Sequence, residues 1–247
     1  MHDHLAALLR GGRHPRAVHG AAAKLGCLAS TYLCNNLLLS YISGSLHAEA
    51  RRLFDEMPHR NVVSWSVLVS GASRLGALRE AFFLFSDMLR SGERGGCDRP
   101  NSFVLGALVA GCARAKDTVA GAQAHASALK FGVDEDESVA GALVDMYSKC
   151  GRVDLSWRAF ALSPQRCVAS WTSIISCLVN HGCSEHRDAA IALLKRMLLL
   201  KVWPTNATFS CILKVFDAPE LLPGGKQIHG CLLKMGTEVD PALGTAL

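Results

Sequence analysis

Residues 62–92 read VVSWSVLVSGASRLGALREAFFLFSDMLRSG, and this stretch decides the fold. An apolar-rich first segment breaks at Gly76. Beyond it Ala77, Leu78, Ala81, Phe82, Leu84, Phe85, Met88 and Leu89 fall at three- and four-residue steps, the stripe of an amphipathic helix. Glu80 lies near the start of that stripe and Arg90 near its end, as the helix dipole favours, and Gly92 is the expected stop. The pattern predicts helix, short turn, helix. Arg187–Leu199 repeats the second stripe with Ala189, Ala190, Leu193, Leu194, Met197 and Leu198, and Gly44, Gly151 and Gly182 mark turns equivalent to Gly76.

Working outward, the whole chain repeats. Val63-Ser64-Trp65-Ser66 returns as Ala169-Ser170-Trp171-Thr172, with the tryptophans 106 residues apart. His19 precedes His125 by 106 and His229 follows it by 104, while Tyr41 and Tyr147 are again 106 apart. Each long period divides into three units, which gives 31–61, 62–101 and 102–136, then 137–167, 168–205 and 206–240. Partial units flank them at 1–30 and 241–247, so the chain reads as one array cut short at both ends. Two insertions lengthen the units near 40 residues: Glu93–Asp98, expected in a loop between hairpins, and a second near Cys183–His186, around the turn within a hairpin. A hairpin of this size cannot bury both apolar faces alone, and stacking on its neighbours does so. The expected fold is all-α, a right-handed superhelical α-solenoid of stacked helix-turn-helix hairpins.

Composition agrees. Half of the 247 residues are hydrophobic and 19% are charged, enough apolar material for a core and too much for wholesale disorder. No uninterrupted apolar run is long enough to span a membrane, so no membrane partner is expected. Twenty-six Lys and Arg against 21 Asp and Glu give a net charge of +5, which permits a polyanionic partner without requiring one. The basic N-terminal stretch belongs to the repeat through Val18-His19-Gly20, and no cleavable targeting segment is expected in it. The ten cysteines include no C-x-x-C pair, and most sit in apolar helical patterns, as buried thiols of a reducing compartment do.

The units carry a family signature. Ala50-Arg51-Arg52-Leu53-Phe54-Asp55-Glu56-Met57-Pro58 and Leu143-Val144-Asp145-Met146-Tyr147-Ser148-Lys149-Cys150-Gly151 mark short units. Val62-Val63-Ser64-Trp65 opens a P-type unit, and Gly225-Lys226-Gln227-Ile228-His229 marks an L-type unit. With the alternation of short and long units, the chain resembles plant pentatricopeptide repeat (PPR) proteins of the PLS class.

That resemblance implies sequence-specific binding of single-stranded organellar RNA in a mitochondrion or chloroplast, with C-to-U editing-site recognition as the expected role. One base is read per hairpin by two or three side chains. In this family the fifth and last residues of each unit do most of the reading. Here these are Asn35 with Asn61, Ser66 with Asn101, Gly106 with Asp136, Gly141 with Cys167, Thr172 with Thr205, and Ser210 with Asp240. By resemblance Asn/Asn favours a pyrimidine, cytosine first, Ser/Asn favours adenine, and Ser/Asp favours guanine in a P-type unit. Gly106 and Gly141 supply no side-chain donor or acceptor, and the Gly141/Cys167 and Thr172/Thr205 combinations depart from the favoured ones. Trp65 and Trp171, beside apolar neighbours, are expected in inter-helix packing rather than as base platforms, and the three recurring histidines in packing or local hydrogen bonds.

No catalytic set is present in the sequence. The zinc deaminase-like domain that ends many proteins of this class needs His-x-Glu with Cys-x-x-Cys, and His47-Ala48-Glu49 stands alone inside a short repeat. The expectation is therefore a binding array, not an enzyme, with no metal or cofactor and with editing-complex proteins supplying the deaminase. Two other readings remain open: a helical scaffold that binds proteins, for which a uniform 34-residue period would be expected, and a degenerate fragment without independent function.

Overall fold

The computed structural model describes residues 1–12, 14–93, 99–163, 166–216, 222–234 and 244. Its fourteen described α-helices pair as helix-turn-helix units, and no strand occurs among the described residues. First helices are α1 (His2–Arg10), α3 (Thr31–Ser43), α5 (Val62–Arg74), α7 (Ser102–Ala115), α9 (Glu137–Lys149), α11 (Val168–His181) and α13 (Asn206–Leu213). Second helices are α2 (Pro15–Lys24), α4 (His47–Glu56), α6 (Leu78–Glu93), α8 (Thr118–Phe131), α10 (Val153–Leu162), α12 (Ser184–Leu199) and α14 (Leu222–Lys234). The chain forms two compact bodies, Met1–Ala115 with Ala126–Val133, and Lys116–His125 with Asp134–Leu247.

In the first body α3 packs on α1, α5 on α3 and α7 on α5, a row of first helices, while α4 and α6 fold back on α3 and α5. The crossing of α5 and α3 is close. A Cβ added at Gly71 would stand 2.7 Å from Ile42 Cδ1, so the missing side chain lets the two helices approach. Arg114 on α7 donates two hydrogen bonds to the Ser73 carbonyl on α5, at 3.3 and 2.9 Å. In the second body α11 takes the same place, packed on α9, α12 and α13. Ser156, 0% exposed, ties α10 to α9 through the Val144 carbonyl at 3.0 Å.

The two bodies carry one core motif in duplicate. Trp65 stacks edge-on against Phe54 with centroids 4.7 Å apart, and Trp171 against Phe160 at 4.8 Å. Arg60 lies over the Phe54 ring and donates to the carbonyls of Phe54 and Asp55, and Arg166 does the same at Phe160 and Ala161. Each arginine thus satisfies carbonyls at the C-terminal end of a short second helix, a site otherwise left to water. Both tryptophans are buried, as expected for packing residues.

Two of the three recurring histidines join one hairpin to the next. His19 on α2 meets Tyr41 Oη on α3 at 2.8 Å, and His125 on α8 meets Tyr147 Oη on α9 at 2.9 Å, both with edge-on rings. Burial pushes the His125 pKa down, against a smaller upward pull from Asp134. Burial also pushes both tyrosine hydroxyls up. His229 is exposed on α14.

Several local expectations shift. Gly76, Gly151 and Gly182 take left-handed φ values of 78°, 72° and 66°, but Gly44 does not, at −84°. Ser45 adopts φ 58° there instead, because it, not Gly44, is the residue one period before Gly151. Gly92 does not stop α6, which runs to Glu93; Arg94–Asp98 lie outside the described residues. The residues around Cys183–His186 form no enlarged turn, since Ser184 already begins α12 and lengthens that helix instead. The nine described cysteines form no disulfide, with Cys27, Cys34, Cys112 and Cys177 buried but Cys183 exposed at the start of α12.

Candidate nucleic-acid interface

The fifth residue of each complete unit sits on the first turns of a first helix, and among the described residues the last residue of a unit (Asn61, Asn101, Asp136, Cys167 or Thr205) stands just before the next first helix, at its cap position. A helix start offers unpaired N–H groups, so Asn, Asp and Thr are placed there by backbone chemistry as well as by any reading role. Asn61 Oδ1 accepts from Val63 N–H and Ser64 N–H, each at 3.1 Å. Asn101 Oδ1 accepts from Val104 N–H at 3.1 Å. Asp136 Oδ1 accepts from Ser138 N–H at 3.0 Å and Ser138 Oγ–H at 2.6 Å.

Two of the expected pairs are drawn together through hydrogen bonds. Asn35 Nδ2 donates to Asn61 Oδ1 at 3.2 Å, and Asn35 is 7% exposed, so most of its amide is turned inward. Thr172 and Thr205 meet through a third residue, Thr208, whose Oγ1 lies 2.7 Å from Thr172 Oγ1 and 3.3 Å from Thr205 Oγ1. Gly141 and Cys167 are also neighbours, for a Cβ on Gly141 would meet Cys167 Sγ at 3.3 Å. Ser66 and Asn101 are not joined by a hydrogen bond of this kind: Ser66 Oγ–H bonds back to the Val62 carbonyl at 2.6 Å. Gly106 and Ser210 are half-buried on α7 and α13, and Asp240 lies outside the described residues.

Along the second body the faces of α9, α11 and α13 line a groove of 840 Å³. Thr172 and Thr205 line it together with Ser176, Asn180, Lys149 and Lys116. Lys149 pairs with Asp145 at 2.7 Å, and Asp145 also accepts from Ser173 Oγ–H at 3.3 Å. The groove therefore offers hydroxyls and amides along its floor and two lysines at its side, the chemistry that suits polar base edges beside a phosphate chain. Among the described residues no cluster of three His, Cys, Asp or Glu side chains is placed to hold a metal. Glu49 of the isolated His-x-Glu is engaged by Arg16, which holds its carboxyl below the usual range.

Sequence reasoning passed over two groups of residues. The third residues of the following first helices, Ser64 and Thr208, are 0% exposed and touch both members of a pair. The signal for Ser64 was available, since Asn61-x-x-Ser64 ahead of an apolar run is a capping pattern. The second residues Tyr32, Val63 and Phe103 are apolar yet 48%, 45% and 76% exposed. Each stands three positions before a fifth residue, hence on the same helix face.

A family model for the PPR repeat matches residues 32–62 and 63–93. A chloroplastic pentatricopeptide repeat-containing protein of Arabidopsis thaliana is 33% identical over 232 residues, 93% of this chain and 25% of the relative. A putative mitochondrial one from the same plant is 32% identical over 225 residues, 91% of this chain and 35% of the relative. The chain belongs to the pentatricopeptide-repeat family. It spans between a quarter and about a third of the length of these relatives. Among solved structures, PPR10 in complex with an 18-nucleotide psaJ RNA element aligns with a TM-score of 0.69 over 94% of this chain and 36% of that chain. At 17% identity this likeness establishes the fold alone, the helical-repeat solenoid class expected from the sequence.

Proposed function

We propose that this chain binds single-stranded RNA in a sequence-dependent way along the exposed starts of its first helices, as part of RNA processing in a chloroplast or mitochondrion. The observation that carries the reading is the placing of fifth and last residues side by side at Asn35/Asn61, Gly141/Cys167 and Thr172/Thr205. Likeness to a repeat protein solved with RNA supports it, as do relatives whose names place them in chloroplasts and mitochondria. Exposed Tyr32, Val63 and Phe103 give bases an apolar surface next to the polar pair, and base stacking on such side chains tolerates any sequence. Lys116 and Lys149 beside the groove suit the backbone. The finer role is selection of cytidines for C-to-U editing, with the deaminase supplied by other proteins. The twelve reading positions are those expected from the repeat register: Asn35, Asn61, Ser66, Asn101, Gly106, Asp136, Gly141, Cys167, Thr172, Thr205, Ser210 and Asp240.

Fluorescence anisotropy with short single-stranded RNAs, at two salt concentrations and with duplex RNA as control, tests this reading. Saturable binding that weakens with salt and prefers a strand containing cytosine followed by adenine is expected, from Asn35/Asn61 and Ser66/Asn101. Equal affinity for duplex and single strand, or no binding by folded protein, would sink it.

A further inference from the structure

Hydrogen-bond directions around Asn61 follow from the backbone. Its Oδ1 faces two helix N–H groups, Val63 and Ser64, and only an oxygen can accept from both. Asn35 meets that same oxygen, so it must present Nδ2, and its own Oδ1 turns the other way. There it accepts Ser64 Oγ–H at 2.6 Å. The Ser64 hydroxyl is 0% exposed and also accepts from the Asn61 N–H at 3.3 Å. One buried hydroxyl thus completes a closed set of bonds in which both amide oxygens are consumed.

We propose that Ser64 is a positioning residue for base selection: it holds Asn35 and Asn61 with their oxygens turned inward, so that the pair offers a base amide N–H donors only. This rests on the RNA-binding reading above. A donor-only edge suits a base with two adjacent acceptors on its Watson–Crick edge. Cytosine has them, N3 and O2. Adenine offers a single acceptor there, N1, with no second one beside it, while guanine and uracil bring an N–H group into that region, from N1 and N3 respectively, and a donor facing a donor leaves both unpaired. At the other pair, Thr208 fills the place of Ser64, but the Thr172 hydroxyl spends its proton on the Val168 carbonyl at 2.9 Å and so accepts from Thr208. That pair carries no amide and lacks the donor-only face of Asn35 and Asn61, so it selects no base strongly.

The test uses the whole chain as wild type, Ser64→Ala and Ser64→Thr, with the melting temperature of each recorded. Thr208 shows that threonine fits a buried third position of this kind. Anisotropy titrations use six-nucleotide single-stranded RNAs in which every position is varied through the four bases. Wild type should favour cytosine at one position by about tenfold, the discrimination typical of a good two-point base contact. Ser64→Ala should reduce that preference to about twofold or less at this position alone, and Ser64→Thr should restore it. An undiminished cytosine preference in Ser64→Ala overturns the proposal, as does a loss of preference at all positions alike, which would mark Ser64 as a helix cap and nothing more. A folded wild type that binds none of the RNAs overturns the RNA-binding reading itself, and the proposal with it.

Discussion

The region 31–67 and the region 153–213 share their packing devices and differ at the polar pair. Both put an aromatic edge-on pair under an arginine, Phe54, Trp65 and Arg60 in one, Phe160, Trp171 and Arg166 in the other. Both begin a first helix after a capping residue and bury a hydroxyl at its third position. At the pair itself one region has two amides whose polarity is fixed by helix N–H groups, and the other has hydroxyls, of which that of Thr172 spends its proton on the Val168 carbonyl. The difference teaches that packing and the chemistry of the polar pair are separable in this chain. The core residues set where the pair stands, and the pair's own chemistry sets what it can offer.

Substitutions can break that comparison at several levels. The largest effect is expected in the shared core: Trp171→Ala and Trp65→Ala should each cost about 3–5 kcal/mol in chemical denaturation, since each removes a fully buried aromatic and its partner stack. Markedly unequal losses would show that the two copies are not equivalent. Next comes Asn61→Ala, which removes a helix cap with its two N–H bonds and should cost about 1–2 kcal/mol of stability together with the cytosine preference. Arg166→Ala and Arg60→Ala should each cost about 1 kcal/mol, through freed helix-end carbonyls, without altering base preference. A change of preference in either would tie packing to reading after all.

A pH titration sharpens the comparison of the hairpin junctions. Because burial lowers the His125 pKa, the unfolded chain takes up that proton first, so the contribution of His125 is complete above the ordinary histidine value, about 6.5. It is lost as the pH falls from there through the lowered folded value. Unfolding free energy measured from pH 8 to 5 should therefore decline on acidification, and His125→Gln should flatten part of that decline. An unchanged slope would remove His125 from the account. The smallest effect is expected for Thr172→Ala, which should alter base preference at its position by about twofold at most, because its hydroxyl proton is already spent on the Val168 carbonyl and leaves a base one acceptor only. A larger change would contradict the contrast between the two pairs.

Much of this architecture was legible in the chain itself. The stripe at 78–89 falls on α6, both tryptophans pack as expected, and His19 and His125 make local hydrogen bonds, whereas His229 is exposed. Misses came where one residue decides geometry. Gly92 was read as a stop although α6 continues past it, and Gly44 as the left-handed turn residue although Ser45 takes that conformation. Composition favours glycine at such positions, but the pull of the following helix and the repeat register decide which residue turns. Asn35, a reading position by the repeat register, is mostly buried beside Asn61 and Ser64, which no pattern along the chain foretells.

The sequence by itself determined the repeated hairpins and the residue types at each pair, because helical periodicity and a 106-residue recurrence are properties of order along one chain. Only the tertiary structure decided the polarity of the pairs. Asn35, Asn61 and Ser64 come from two successive helices, and so do Thr172, Thr205 and Thr208. The direction of a hydrogen bond depends on which donors and acceptors packing brings within 3 Å or so, a distance at which no pattern along the chain fixes orientation.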